Sequence, residues 1–210
     1  MMGLCYDFKI MSTFGELNKQ IELCQNCELA RTRTQVVPGE GPENAEILFI
    51  GEAPGYYEDQ QGRPFVGPAG QFLDELLASI NLRRNQVYIA NVIKCRPPGN
   101  RDPLPGEIQA CKQWLDQQIE LIKPKMIVTL GRYSMARYFA NESIGKVHGK
   151  AKKLDNVIYF PMYHPAAALH QGSLRKTIEE DMKNIPRLLS EIETLAETKT
   201  EPEPQQLNLF

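Results

Sequence analysis

The stretch EILFIGEAPG, residues 46–55, sets a short apolar run against a glycine, a carboxylate and a rigid Pro-Gly. A run of this length, β-branched and aromatic and closed by turn formers, reads as a strand buried on both faces. VYIANVI (87–93), MIVTLG (126–131) and VIYFPMYH (157–164) read the same way. Helical spacing fills the intervals: Phe72, Leu73, Leu76, Leu77 and Ile80 form one apolar stripe, and Ile108, Cys111, Leu115, Ile119 and Ile122 another. Weaker helical patterns cover 133–139 and 173–189. Strands alternating with helices predict right-handed crossovers, hence an α/β fold with a parallel sheet and helices on both faces.

The chain of 210 residues is long enough to bury a full core and is most simply one domain, read here as 12–190. With 24 basic against 26 acidic side chains there is no global charge for gripping a polyanion, so nucleic-acid binding would have to use a local basic surface. No apolar run approaches the ~18 residues of a membrane span, and the first residues lack a basic-then-apolar signal pattern. The expectation is a soluble cytoplasmic protein. Met11 is an alternative start, because a capping-box pattern, Thr13 to Glu16, opens the first helix just after it. From about Glu191 the composition turns to Glu, Thr, Lys and Pro, which predicts a disordered tail over 191–210.

An open parallel sheet holds its ligand beyond the carboxyl ends of its strands. The polar residues leaving each strand are therefore the candidates. The first strand delivers Glu52, with Glu58 and Asp59 soon after; the second delivers Asn91, the third Gly131 and the fourth His164.

Of the five cysteines, Cys24 and Cys27 form a CQNC pair, Cys95 leaves the second strand, Cys111 lies on the following helix and Cys5 stands apart. Without a secretory signal a disulfide framework is not expected. Two readings stand side by side: ordinary buried thiols with a chance or redox-active CQNC, or four ligands tying the N-terminal helix to the sheet. Zinc and iron–sulfur both accept four thiolates, and spacing does not choose between them.

Three long stretches carry a resemblance. GEAPGYYEDQQGRPFVGPAGQFLDELL (51–77), NVIKCRPPGNRDPLPGEIQAC (91–111) and YHPAAALHQGSLR (163–175), in this order and with the cysteines so placed, resemble the family 4 uracil-DNA glycosylases from about Cys24 to Arg187. The resemblance implies a glycosylase-type three-layer fold around a four-stranded parallel sheet. It also implies a [4Fe–4S] cluster on Cys24, Cys27, Cys95 and Cys111, with Cys5 free. Family 1 enzymes carry an aspartate where this chain has Ala53 and a tyrosine where it has Gly55, so the water-activating group is open.

The same resemblance implies hydrolysis of the uracil glycosidic bond in DNA, with the nucleotide turned out of the stack, and a monomer is expected. Phe65 corresponds to the stacking aromatic, Asn91 to the amide reading uracil N3–H and O4, and His164 to the donor at O2. Glu52, Ala53, Pro54 and Gly55 line the base. Glu58 is the first-choice carboxylate at the sugar, Glu52 the second and Asp59 the third. The loop after His164 resembles the segment that enters the duplex, making Leu169 a candidate wedge. Arg31, Arg33, Arg96, Arg101, Arg175, Lys176 and the stretch 146–153 are candidate phosphate contacts. The final residues Gln206, Leu207, Asn208, Leu209 and Phe210 resemble the peptide by which bacterial proteins dock on the replicative sliding clamp, and they end a Pro/Glu-rich tether. A runner-up is a noncatalytic, metal-stapled DNA-binding module on the same tether. A superfamily variant that links covalently to the abasic sugar needs an inserted basic loop, and no such insertion is seen.

Overall fold

A computed structural model describes residues 13–197. Cys5, Met11 and the 206–210 peptide lie outside the described residues. The first helix, α1 (Phe14–Glu22), starts where the capping pattern predicts, with Thr13 Oγ1 accepting from Glu16 N at 3.2 Å. After α2 (Leu29–Thr32) come β1 (Ile47–Gly51), α3 (Tyr56–Gln61) and α4 (Pro68–Ser79). Then follow β2 (Tyr88–Asn91), α5 (Pro105–Ile122), β3 (Met126–Leu130), α6 (Arg132–Met135) and α7 (Ile144–Val147). The chain continues with β4 (Lys152–Leu154), β5 (Val157–Met162), α8 (Pro165–His170), α9 (Ser173–Met182) and α10 (Ile185–Glu197).

The sheet order is β2-β1-β3-β5-β4. The four strands expected from the sequence are mutually parallel, and β4 adds a short antiparallel edge beside β5. Alternation along β1 divides the interior. Ile47 and Phe49 join the α4 stripe (Phe72, Leu73, Leu76, Leu77) together with Ile178, Met182 and Ile185 of α9 and α10. Leu48 and Ile50 face the other way, against Phe14, Leu17 and Ile21 of α1 and Cys111, Trp114 and Leu115 of α5. Each buried Leu, Ile or Phe of these layers contributes about 1.5–3 kcal/mol by removal from water. The C-terminal helix runs to Glu197, past the boundary at 190–191 that composition suggests.

Register brings the strand ends together. Gly51 is paired with Asn91, and Leu130 with Met162, so the residues that follow emerge on one rim. Among the described residues no helix is long and apolar enough to cross a membrane.

Candidate functional site

A cleft of about 690 Å3 opens on this rim, and its wall includes Glu52, Ala53, Pro54, Gly55, Glu58, Phe65, Asn91 and His164. Every residue expected at the base pocket is therefore in one place. Asn91 is 1% exposed, and its Oδ1 has no hydrogen-bond partner. A buried acceptor left unpaired costs about 1–3 kcal/mol, which a donating ligand would recover. Gly51 makes room for this arrangement: a Cβ there would lie 2.4 Å from Asn91 Oδ1 and 2.6 Å from the Phe65 ring.

Phe65 occupies the left-handed region at φ 52°, unusual for a bulky residue. Three neighbours hold it. Just after it in the chain, Glu58 Oε1 accepts from Val66 N and Gly67 N at 2.9 Å each. On the carbonyl side, Arg84 Nη1 donates to Phe65 O at 3.0 Å, while its Nη2 donates to Pro64 O. Beneath it, Gly70 lets α4 approach, since a Cβ would sit 1.8 Å from Phe65 O. The ring then stacks near His164, centroids 5.5 Å apart and planes at 27°.

His164 caps α8, its Nδ1 accepting from Ala166 N at 3.1 Å. Burial drives its pKa down to about 4, against a smaller opposing pull from Glu58. At neutral pH the ring is thus uncharged, and because Nδ1 accepts, its proton sits on Nε2 as a donor. Gly131, at φ 90°, leaves space for this ring; a Cβ there would stand 3.1 Å from His164 Cβ.

The three carboxylates differ sharply. Glu58 lines the cleft but is committed to backbone: besides Val66 and Gly67 it accepts from Gly55 N at 3.1 Å. Asp59 is 2% exposed, and its Oδ1 accepts from Thr34 N at 2.9 Å; it is not part of the cleft wall, contrary to its third-choice standing. Glu52 faces the cleft, where burial, Asp102 and Arg132 rather than a hydrogen bond set its charge. Burial, with help from Asp102 and against Arg132, raises its pKa to about 7.

Arg84, Asp102, Arg132 and His170 were not singled out from sequence, yet three of them line the cleft and the fourth holds Phe65. Asp102 sits in the polar turn of GNRDP, a loop signal that was visible; Arg84 belongs to a 3-10 turn (Arg84–Gln86) at the far end of β2 and carried none. The candidate phosphate contacts are mostly engaged elsewhere. Arg31 pairs with Glu28, Arg101 is bidentate to Glu107, and Arg175 pairs with Glu75 and Glu179 while covering Phe72. Leu169, half exposed on α8, adjoins His170 of the cleft wall.

A second cavity gathers all four expected cysteines, Cys24, Cys27, Cys95 and Cys111, with Ile21, Val36, Arg33, Lys94 and Trp114. Three sulfurs accept hydrogen bonds: Cys95 from Arg33 Nη1 at 3.1 Å, Cys111 from Lys94 N at 3.2 Å, and Cys24 from Trp114 Nε1 at 3.3 Å. Burial raises the Cys27 and Cys95 thiols and pushes Cys111 up to about 12. Among the described residues, no set of three or more His, Cys, Asp or Glu groups is placed to hold a single metal ion. Lys94 joins the two cavities, its buried Nζ donating to Asn91 O at 3.0 Å and Gln118 Oε1 at 2.6 Å.

Residues 38–189 match the family model for the uracil DNA glycosylase superfamily, and the chain belongs to that superfamily. It is 50% identical over 188 residues to the type-4 uracil-DNA glycosylase of Sulfurisphaera tokodaii, covering 85% of this chain and 86% of that protein. The type-4 enzyme of Archaeoglobus fulgidus is 46% identical over 188 residues, covering 85% and 94%. That of Thermotoga maritima is 43% identical over 172 residues, covering 80% and 90%.

Proposed function

We propose that this protein is a monofunctional uracil-DNA glycosylase that extrudes uracil from DNA and hydrolyses its N-glycosidic bond. The observation that carries the reading is the unpaired Asn91 Oδ1 at the floor of a cleft that also holds Phe65 and His164. Uracil N3–H donates to that oxygen and O4 accepts from the same amide, a pattern cytosine reverses. The ring lies on Phe65, and Ala53, Pro54 and Gly55 bound its edge. As the bond lengthens, negative charge gathers on uracil O2, where the neutral His164 donates through Nε2–H. Glu52 is the better base than Glu58, because its carboxylate titrates near neutrality, whereas Glu58 is spent on three backbone amides. Ionised Glu52 orients and deprotonates the attacking water and favours the cationic sugar; Glu58 positions Phe65. Leu169 fills the gap left by the extruded nucleotide, and Arg175 stands among the candidates for the flanking phosphates.

Cys24, Cys27, Cys95 and Cys111 would hold a [4Fe–4S] cluster. Four thiols in one apolar cavity, N–H donors on three sulfurs and the nearby Lys94 and Arg33 charges suit an anionic cluster. A cube of iron and sulfide also spaces its thiolates more widely than a single ion does. Glycosidic hydrolysis transfers no electrons, so its contribution here is to hold α1 and the 95–111 segment together.

Incubation with an oligonucleotide containing one uracil, followed by alkali, is expected to yield free uracil and a nicked strand; an intact strand overturns the reading and favours a noncatalytic module. Asn91→Asp is expected to fold and to lose uracil release. The tail motif Gln206–Phe210 supports docking on the sliding clamp, and deletion of 206–210 is expected to abolish clamp pull-down. A monomer acting on cytoplasmic DNA fits these parts.

A further inference from the structure

Six large apolar side chains are well exposed among the described residues, and four of them, Tyr56, Tyr57, Leu104 and Leu169, belong to segments that build the cleft wall. Tyr56 directly follows Gly55 of the wall and is 52% exposed. Arg96 reaches over it, with Cζ 5.1 Å from the ring centroid. Arg96 is itself aimed: its Nε donates to Oδ1 of Asn100, a wall residue, at 2.7 Å, and its chain neighbour Pro97 is also in the wall. Tyr57 braces Tyr56 edge-to-face, centroids 5.5 Å apart at 80°, and packs over Gly67. Neither tyrosine has a part in holding the base itself.

We propose that Tyr56 with Arg96 forms a stacking platform, continuous with the cleft, for the unpaired base of the nucleotide next to the extruded uracil. This rests on the functional reading above. An aromatic ring offers every base a π-face without reading its identity, and a guanidinium alongside adds attraction for the electron-rich ring. Extrusion deprives the neighbouring base of one stacking partner. In a duplex that base stays paired and stacked on its other side; in a single strand it is free, so the platform favours uracil in unpaired DNA.

The test compares the full-length protein with Tyr56→Ala and Tyr56→Trp on single-stranded and duplex oligonucleotides carrying one uracil. Tyr56→Ala is expected to raise KM for the single strand about tenfold, with a smaller rise for the duplex. Tyr56→Trp is expected to keep KM near wild type, because the flat surface survives. The salt dependence of binding should be unchanged in Tyr56→Ala, since no phosphate contact is removed. On a noncleavable uracil analogue flanked by 2-aminopurine, quenching of the probe in wild type should be relieved in Tyr56→Ala. A single-strand KM within twofold of wild type, an equal loss in the tryptophan variant, or a duplex penalty as large as the single-strand one overturns the platform. Absence of uracil release by the wild-type protein would instead overturn the glycosylase reading.

Discussion

The base cleft and the cysteine cavity are built on one segment, residues 88–111, and are finished in opposite ways. In the cleft a buried acceptor, Asn91 Oδ1, is left without a partner, a phenylalanine is held at positive φ, and a carboxylate is raised to about 7. In the cavity the sulfurs of Cys24, Cys95 and Cys111 already receive N–H donors. Strain and unpaired polarity gather where a ligand must be recognised and altered; satisfied contacts gather where segments are fastened. Substitutions in the cleft should therefore change rate more than stability, and those in the cavity the reverse.

The largest expected effect is that of Glu52→Gln, a fall of about 10²–10⁴ in the single-turnover rate. Wild-type rate should climb as pH rises through about 7, where Glu52 ionises, and the variant should lose that limb. Because the folded state holds this proton more tightly than the unfolded chain, stability falls as pH rises from about 4.5 to 7. The gain in Tm from Glu52→Gln should thus be greater at pH 8 than at pH 5.

His164→Ala follows, with a loss of about 10²–10³ in rate. The imidazole should titrate near 4 by NMR, and its share of stability should be lost as pH falls from 6.5 towards 4. Arg84→Met comes next: releasing the Pro64 and Phe65 carbonyls should raise KM about tenfold while leaving kcat less affected. Weakest in rate is Cys111→Ser, which should abolish the visible absorption that the proposed cluster gives and lower Tm by on the order of 10 °C. Its uracil release at 20 °C should stay within about threefold of wild type, since no residue of the cysteine cavity lines the cleft. A rate loss there rivaling that of Glu52→Gln would erase the division between the two regions.

The legible parts of this molecule are those carried by local pattern. Glu52, Asn91 and His164 could be picked out because each ends a short apolar strand, and parallel register then forces them onto one rim. The same reasoning puts Glu58 ahead of Glu52, and local pattern does not reveal which of the two is tied to backbone. That depends on which carboxylate the Val66 and Gly67 amides capture, a contact made only when the loop folds back. Arg84 was hidden for a related reason, since it acts on Phe65 from 19 positions away. Strand β4 is three residues long, Lys-Lys-Leu, too short and too polar to register as a strand. Hydrophobic spacing extended α10 in the other direction, overriding the polar composition that suggested an end near 191.

That small strand has a consequence for the whole sheet. A parallel sheet has two margins, each a row of backbone groups able to recruit another chain and seed aggregation. On the β2 margin, Glu40 closes the row by exchanging both backbone bonds with Ile89, at 2.9 and 2.8 Å. On the other, β4 ends the row after three residues and lines it with Lys152 and Lys153, both exposed. Like charge at that margin disfavours pairing with a second copy, so the sheet offers little open backbone at either side.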